Sequence, residues 1–293
     1  PYTEERKQWG VGADYLHGDT TFSLGVSNSE ENDYTADTLN FAISQEVFGG
    51  LTTVTIGYGS GDDEVRQRGS SFQDVVEKKA YRLGLSQVLT RNWLLGFSYE
   101  AMADEGYLNN PYRSVRYLDG TGYAYQQERY PRTRESNAVA LRSRYFLPWR
   151  AALGAEYRFF ADDWGIDAHT FELGYTHPWQ RFTFDVRYRY YTQGGADFYS
   201  DLFPFQDAQN FLARDKELAT FQSHGPHIGV GYQLFDRTTD ARQLKGTVNV
   251  FYDFIMFRYD DFRDLRATGF APGTEPLFQF DASVVQAFFS VWF

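Results

Sequence analysis

The sequence predicts an all-β fold, an antiparallel up-and-down transmembrane β-barrel, and three observations carry that prediction. Apolar residues recur with period two in one segment after another, as they do on strands whose side chains alternate between two faces. Aromatic residues make up 19% of the 293-residue chain, yet the mean hydropathy is negative. No stretch approaches ~18 consecutive apolar residues, which excludes a spanning helix but not a spanning barrel. An oily surface one side chain deep, spread over many strands, satisfies all three.

The strands follow in order from a start near Gln8–Leu16. Val54, Ile56 and Tyr58 alternate with Thr53, Thr55 and Gly57, and Trp93, Leu95, Phe97 and Tyr99 with Leu94, Gly96, Ser98 and Glu100. Val139, Leu141 and Tyr145 alternate with Ala140, Arg142 and Arg144. Leu153, Ala155, Tyr157 and Phe159 alternate with Gly154, Glu156 and Arg158, and Phe171, Leu173 and Tyr175 with Thr170, Glu172 and Gly174. In "RFTFDVRYRY" (181–190) one face is Phe182, Phe184, Val186, Tyr188 and Tyr190, and the other is charged. Residues 39–58 and 81–99 echo each other as hairpins built on a Ser-Gln pair, which points to a meander. The last strand, 281–293, carries Val285, Ala287, Phe289, Val291 and Phe293 on one face.

Connections near 48–50, 89–92, 147–150 and 178–181 are short, and those near 27–36, 59–78, 101–136, 192–217 and 259–275 are long and polar. Short periplasmic turns alternating with long extracellular loops are the barrel pattern. Two connections depart from it: 161–166 is short where a long one is due, and 235–243 the reverse. Trp93, Trp149, Trp179 and Trp292 fall at the short-turn rim, where indole suits the boundary between hydrocarbon and water. Phe293, a terminal aromatic on an alternating strand, is the expected signal for the outer-membrane assembly machinery of a Gram-negative bacterium. The count is about 13 strands, and bacterial single-chain barrels have even numbers. We therefore expect residues 1–293 to be a single barrel domain lacking at least one N-terminal strand, with 14 or more in the full protein.

The oily face should meet lipid, with Phe184, Tyr188, Phe171, Leu173, Leu153, Phe159, Leu95 and Phe97 pointing outward. The lumen should then carry a charged wall of Arg82, Glu100, Arg142, Arg144, Glu156, Arg158, Glu172, Asp185, Arg187 and Arg189, facing a small, neutral wall around Thr53, Thr55 and Gly57. The slight basic excess favours anions weakly. The loop 101–136 holds Arg113, Arg116, Arg129, Arg132 and Arg134 among many tyrosines. It reads as an ordered cap whose arginines pair with nearby Asp104, Glu105, Glu128 and Glu135, or as a constriction that takes an anion.

Carboxylates at Asp62–Asp63–Glu64, Asp162–Asp163 and Asp260–Asp261 read as solvated loop charge. His224 and His227, three apart on a strand, should face opposite ways. With no cysteine, thiol chemistry and disulfides are excluded. No nucleophile–histidine–acid set or phosphate-binding glycine loop is present, so an enzyme, a cofactor and a metal are not expected. A net charge of −11 argues against nucleic acid.

The loops carry something more specific. "DEGYLNNPYRSVRY" (104–117), "ERYPRTRESN" (128–137), "DDWGIDAHTFELGY" (162–175), "ADFYSD" (196–201) and "ARDKELATF" (213–221) occur in this order. As a set they resemble the outer-membrane barrels grouped as domain of unknown function 3570. The resemblance spans nearly the whole chain, implies the fold and the membrane, and implies additional strands upstream. It supplies no activity. The expected role is a porin-like channel for small polar or anionic solutes. The alternative is a filled scaffold that holds a lipoprotein, another barrel subunit or an extracytoplasmic redox protein.

Overall fold

The structure, a computed structural model, describes residues 5–120, 122–239 and 242–292. Fifteen strands follow one another: β1 (Lys7–His17), β2 (Thr20–Glu30), β3 (Tyr34–Val47), β4 (Thr52–Arg66), β5 (Gln73–Thr90), β6 (Trp93–Gly106), β7 (Ser114–Asp119) and β8 (Gly122–Gln127). Then come β9 (Thr133–Phe146), β10 (Ala152–Asp162), β11 (Asp167–Trp179), β12 (Phe182–Gln193), β13 (Phe221–Thr239), β14 (Arg242–Arg263) and β15 (Leu277–Trp292). Thirteen form one antiparallel sheet in chain order, from which the β7–β8 hairpin alone stands apart. This is the up-and-down barrel meander. Among the described residues β1 pairs only with β2 and β15 only with β14.

Register fixes the faces, because a one-residue slip would exchange them. Leu85, Phe97 and Leu141 are partners across β5, β6 and β9, and Tyr157 sits between Leu141 and Phe171 across β9, β10 and β11. These side chains are exposed, and so are Leu153, Leu173, Val186, Tyr188, Ile228, Val250, Val285 and Phe289. An exposed apolar belt crossing strand after strand is a lipid-facing surface. Trp93, Trp149 and Trp179 stand at the near rim as expected, with Trp93 Nε1 donating to Ser143 at 2.9 Å and Trp149 Nε1 to the Tyr175 hydroxyl at 3.2 Å. The hairpin echo is visible as a repeated contact there: Thr52 donates to Gln87 at 2.6 Å, and Thr20 makes the same bond to Gln45. Phe293 lies outside the described residues.

The turn at 180–181 puts Gln180 at a φ of 55°, a left-handed conformation that the tight reversal requires. Several polar stretches read as loops prove to be strand. β2 and β3 approach within three residues at the outer rim, and β4 and β5 continue to Arg66 and from Gln73. The long connection expected near 235–243 is absorbed in the same way, as β13 and β14 pair out to Thr239 and Arg242. Beyond the belt at either rim both faces meet water, so alternation fades while the hydrogen-bond ladder continues. The 163–166 connection stays short.

Depth along the strands sets the cost of a charge on the belt. Phe184 is third from the turn in β12, near the interface, whereas Leu173 is central in β11 and exposed. Leu173→Arg is expected to cost about 2–4 kcal/mol, and Phe184→Arg about 1 kcal/mol or less. Urea unfolding in lipid vesicles measures both; equal costs would contradict this placement.

Candidate functional site: the lumen and its loop cap

The inner face is built from the residues opposite the belt. Arg82 and Glu100 are direct partners, as are Arg142 with Glu156, Glu156 with Glu172, and Glu172 with Arg189 across β9–β12. Arg82 Nε donates to Glu100 at 2.7 Å and Arg142 Nε to Glu156 at 2.6 Å. Arg187 Nε donates to Asp185 at 2.9 Å and its Nη2 meets His227 Nε2 at 3.0 Å, while His227 Nδ1 meets Asp253 at 2.7 Å. His227 and Asp253 extend the wall onto β13 and β14, which the sequence reading missed. His224 points the other way, onto the Tyr188 hydroxyl at 2.6 Å.

Among the described residues Arg144, Arg158, Arg189 and Glu172 have no ion-pair partner. Arg158 lies over the Phe160 ring and Arg189 over the Tyr191 ring, each at 5.7 Å. A cavity of about 560 Å³ is lined by Arg142, Arg144, Glu156, Glu172, Asp185 and Arg187. The small wall continues beyond Thr53, Thr55 and Gly57 to Gly59 and Gly61 of β4 and their neighbours Ala42 and Asn40. A third sector was not anticipated. The inner faces of β14 and β15 carry an aromatic sector, with Phe257 stacked on Phe280 at 4.6 Å and Phe251 against Phe288 at 5.4 Å.

Toward the outer mouth the inner face is covered. Ser136, Ala138 and Ala140 of β9, Ala168 and Thr170 of β11, Gln193 of β12 and Phe221 and Ser223 of β13 are all buried. What covers them is the long loops, folded inward. Gln193 Nε2 donates to the Glu217 and Ala219 carbonyls at 2.9 and 2.8 Å. Tyr130, Trp164, Ile166, Phe198 and Leu218 form an apolar core inside this cap. The β7–β8 hairpin is stitched to the 194–220 loop by backbone bonds between Arg129 and Leu212 and between Arg116 and Phe203.

All five cap arginines form ion pairs, and none of these is with the four acids expected from proximity. Arg129 pairs with Asp207 at 2.7 Å, Arg132 with Asp74 at 2.8 Å and Arg134 with Asp162 at 2.6 Å, while Arg113 meets Asp215. Arg116 is fully buried. It binds Glu275 at 2.5 Å and the Asp201 carboxylate and carbonyl, and Asp201 also takes Arg214 at 2.8 Å. Three loops thus converge on one guanidinium. The acidic doublets are correspondingly not plain solvated charge. Asp63 is buried against Tyr34 and Lys78, Asp162 accepts the Ile166 amide at 2.8 Å, and Asp261 accepts the Thr220 amide at 2.9 Å.

Arg116 donates to Glu275 and holds its carboxyl at about 2, well below the usual 4.5. A depressed carboxylate contributes stability above its unfolded value and loses it as pH falls through the folded one. On the order of 3 kcal/mol of cap stability should be present above pH ~4.5 and gone near pH ~2. Arg116→Met should cost the cap about 3–5 kcal/mol by stranding the buried Glu275 carboxylate. Limited proteolysis of 194–220 reads both; a cap equally protected in the variant and at pH ~2 would contradict this account.

Comparison with known proteins agrees with this geometry. No curated protein matches the sequence. The siderophore receptor PirA from Pseudomonas aeruginosa superposes with a TM-score of 0.53 at 11% identity, covering 88% of this chain and 48% of the receptor. The copper transporter OprC gives 0.52 at 11% identity, covering 98% of this chain and 53% of the transporter. The chain spans about half the length of these structures, and the likeness is one of fold. With its lipid-facing belt, that fold makes the protein an integral β-barrel of a Gram-negative outer membrane. The family described as Protein of unknown function (DUF3570) matches residues 1–245, and the chain belongs to it.

Proposed function

We propose that the chain forms a channel-type barrel of low conductance for small polar solutes, anions among them, rather than an enzyme. The observation that carries this reading is a cavity of about 830 Å³ left between the cap and the inner face of β3–β6. It leaves solutes a route beside the cap at the outer mouth. Below it, on the β9–β12 wall, Arg144, Arg158 and Arg189 outnumber Glu172, the one carboxylate of that wall without an ion pair among the described residues, which favours anions along it. Insertion by the assembly machinery belongs to the same reading.

A second reading, a scaffold that holds a partner protein such as a lipoprotein or redox protein, draws on the β15 inner face. Val284 and Phe288 are exposed there in an otherwise polar lumen, which suits an apolar segment better than a solute.

Planar-bilayer recording separates the two. The intact protein should conduct weakly, and deletion of 113–134 should raise the conductance several-fold. Neutralising Arg144, Arg158 and Arg189 together should move the reversal potential toward cations at low salt. Silence from both the intact and the deleted protein would favour the scaffold.

A further inference from the structure

The outer cavity has a chemistry of its own. Its lining contains three cations and five carboxylates. Each cation is already engaged by an acid: Lys78 by Asp63 at 2.5 Å, Arg134 by Asp162 at 2.6 Å and Arg66 by Glu64 at 3.4 Å. Two of the five carboxylates are engaged as well, Glu31 by Arg6 and Asp215 by Arg113. Asp33, Asp104 and Glu217 remain without an ion pair or a side-chain hydrogen bond among the described residues. The uncompensated charge of the cavity is therefore negative, opposite to that of the lumen below.

The walls add aromatic rings, and these already serve cations. Arg134 lies 4.6 Å from the Trp164 ring and Lys78 5.7 Å from the Tyr34 ring. Tyr107, Tyr112 and Tyr130 add further rings to the lining. Ring faces and separated carboxylates are the combination that holds alkylammonium groups. A compact inorganic ion fits poorly, because no three acids or histidines among the described residues converge on a metal position. The volume, about 830 Å³, is within the ~300–1,000 Å³ that holds a small organic ligand. Asp104 is half-buried above the belt, and burial raises its pKa while Lys78 and Arg134 oppose the rise. A bound amine would relieve that burial cost.

We propose that this outer cavity is a binding site for a small organic cation carrying spaced primary amines, the polyamine class, held by Asp33, Asp104 and Glu217. The proposal goes beyond the channel reading and does not depend on conduction.

Titration calorimetry on the full chain in detergent, at low ionic strength, tests it with spermidine as the probe and Mg²⁺ as comparator. Spermidine should bind saturably at one site and release heat. The D33N/D104N/E217Q variant should bind at least tenfold more weakly, whereas E77Q, a charge removed from the outward face, should bind unchanged. Equimolar Mg²⁺ should not displace the amine. If the triple variant fails to fold, D33N and E217Q singly should each weaken binding about two- to fourfold, as expected for single exposed charges. Absence of binding, unchanged affinity in the variants, or displacement by equimolar Mg²⁺ would each overturn the proposal. Planar-bilayer silence would leave it standing, since silence bears on the channel alone.

Discussion

Hydrocarbon offers no partner to a backbone amide or carbonyl, and this constraint organises the molecule. Every peptide group at membrane depth must bond to another strand, so the ladder has to run unbroken from one strand to the next. Once it does, strand register fixes which residues face lipid and which face the lumen. The partners Leu85–Phe97–Leu141 and Arg82–Glu100 are consequences of one register in β5, β6 and β9. Shifting one strand by a residue would send a row of charges into lipid and a row of phenylalanines into the lumen.

That is why the barrel was legible in the sequence. Each residue of a spanning strand meets one of two solvents, and the choice repeats every second position. Thirteen strands, the near-rim tryptophans and the charged inner row on β9–β12 could be read without any long-range information. Strand ends could not. Asp37, Asp62, Glu77 and Glu105 stand directly opposite one another across β3–β6, on the outward face above the belt. Polar on both faces, such positions look like loop although the ladder passes through them.

The cap was legible only as an ordered, arginine-rich loop. Its partners were not, because ion pairs in a cap are set by three-dimensional convergence rather than by spacing. Arg116 reaches Glu275, 159 positions away, and Asp201, 85 away; Arg134 reaches Asp162, 28 away. Long loops rising from strands that are distant in sequence meet over a shared mouth. The sequence showed abundant arginines and carboxylates and no signal of which would meet. The aromatic sector of β14–β15 was missed for a related reason. Phe280 lies just before the last strand's expected start at 281, and only its register with Phe257 places it on the inner face.

The same ion pairs decide how the mouth can work. Lifting the cap would pull Arg116 from two carboxylates in a buried setting, and stranding a buried charge costs about 3–5 kcal/mol. At roughly 1.4 kcal/mol per factor of ten, a lifted state would be populated at around one part in a hundred to a few thousand. A gate that opened by releasing this plug would therefore be shut nearly always. The cap is better understood as a fixed part of the mouth, as rigid as the wall it covers. Passage and recognition then fall to the space that the cap leaves open beside β3–β6, where Lys78, Arg66 and Arg134 are already engaged. What remains to meet a solute there is the free carboxylates and the rings.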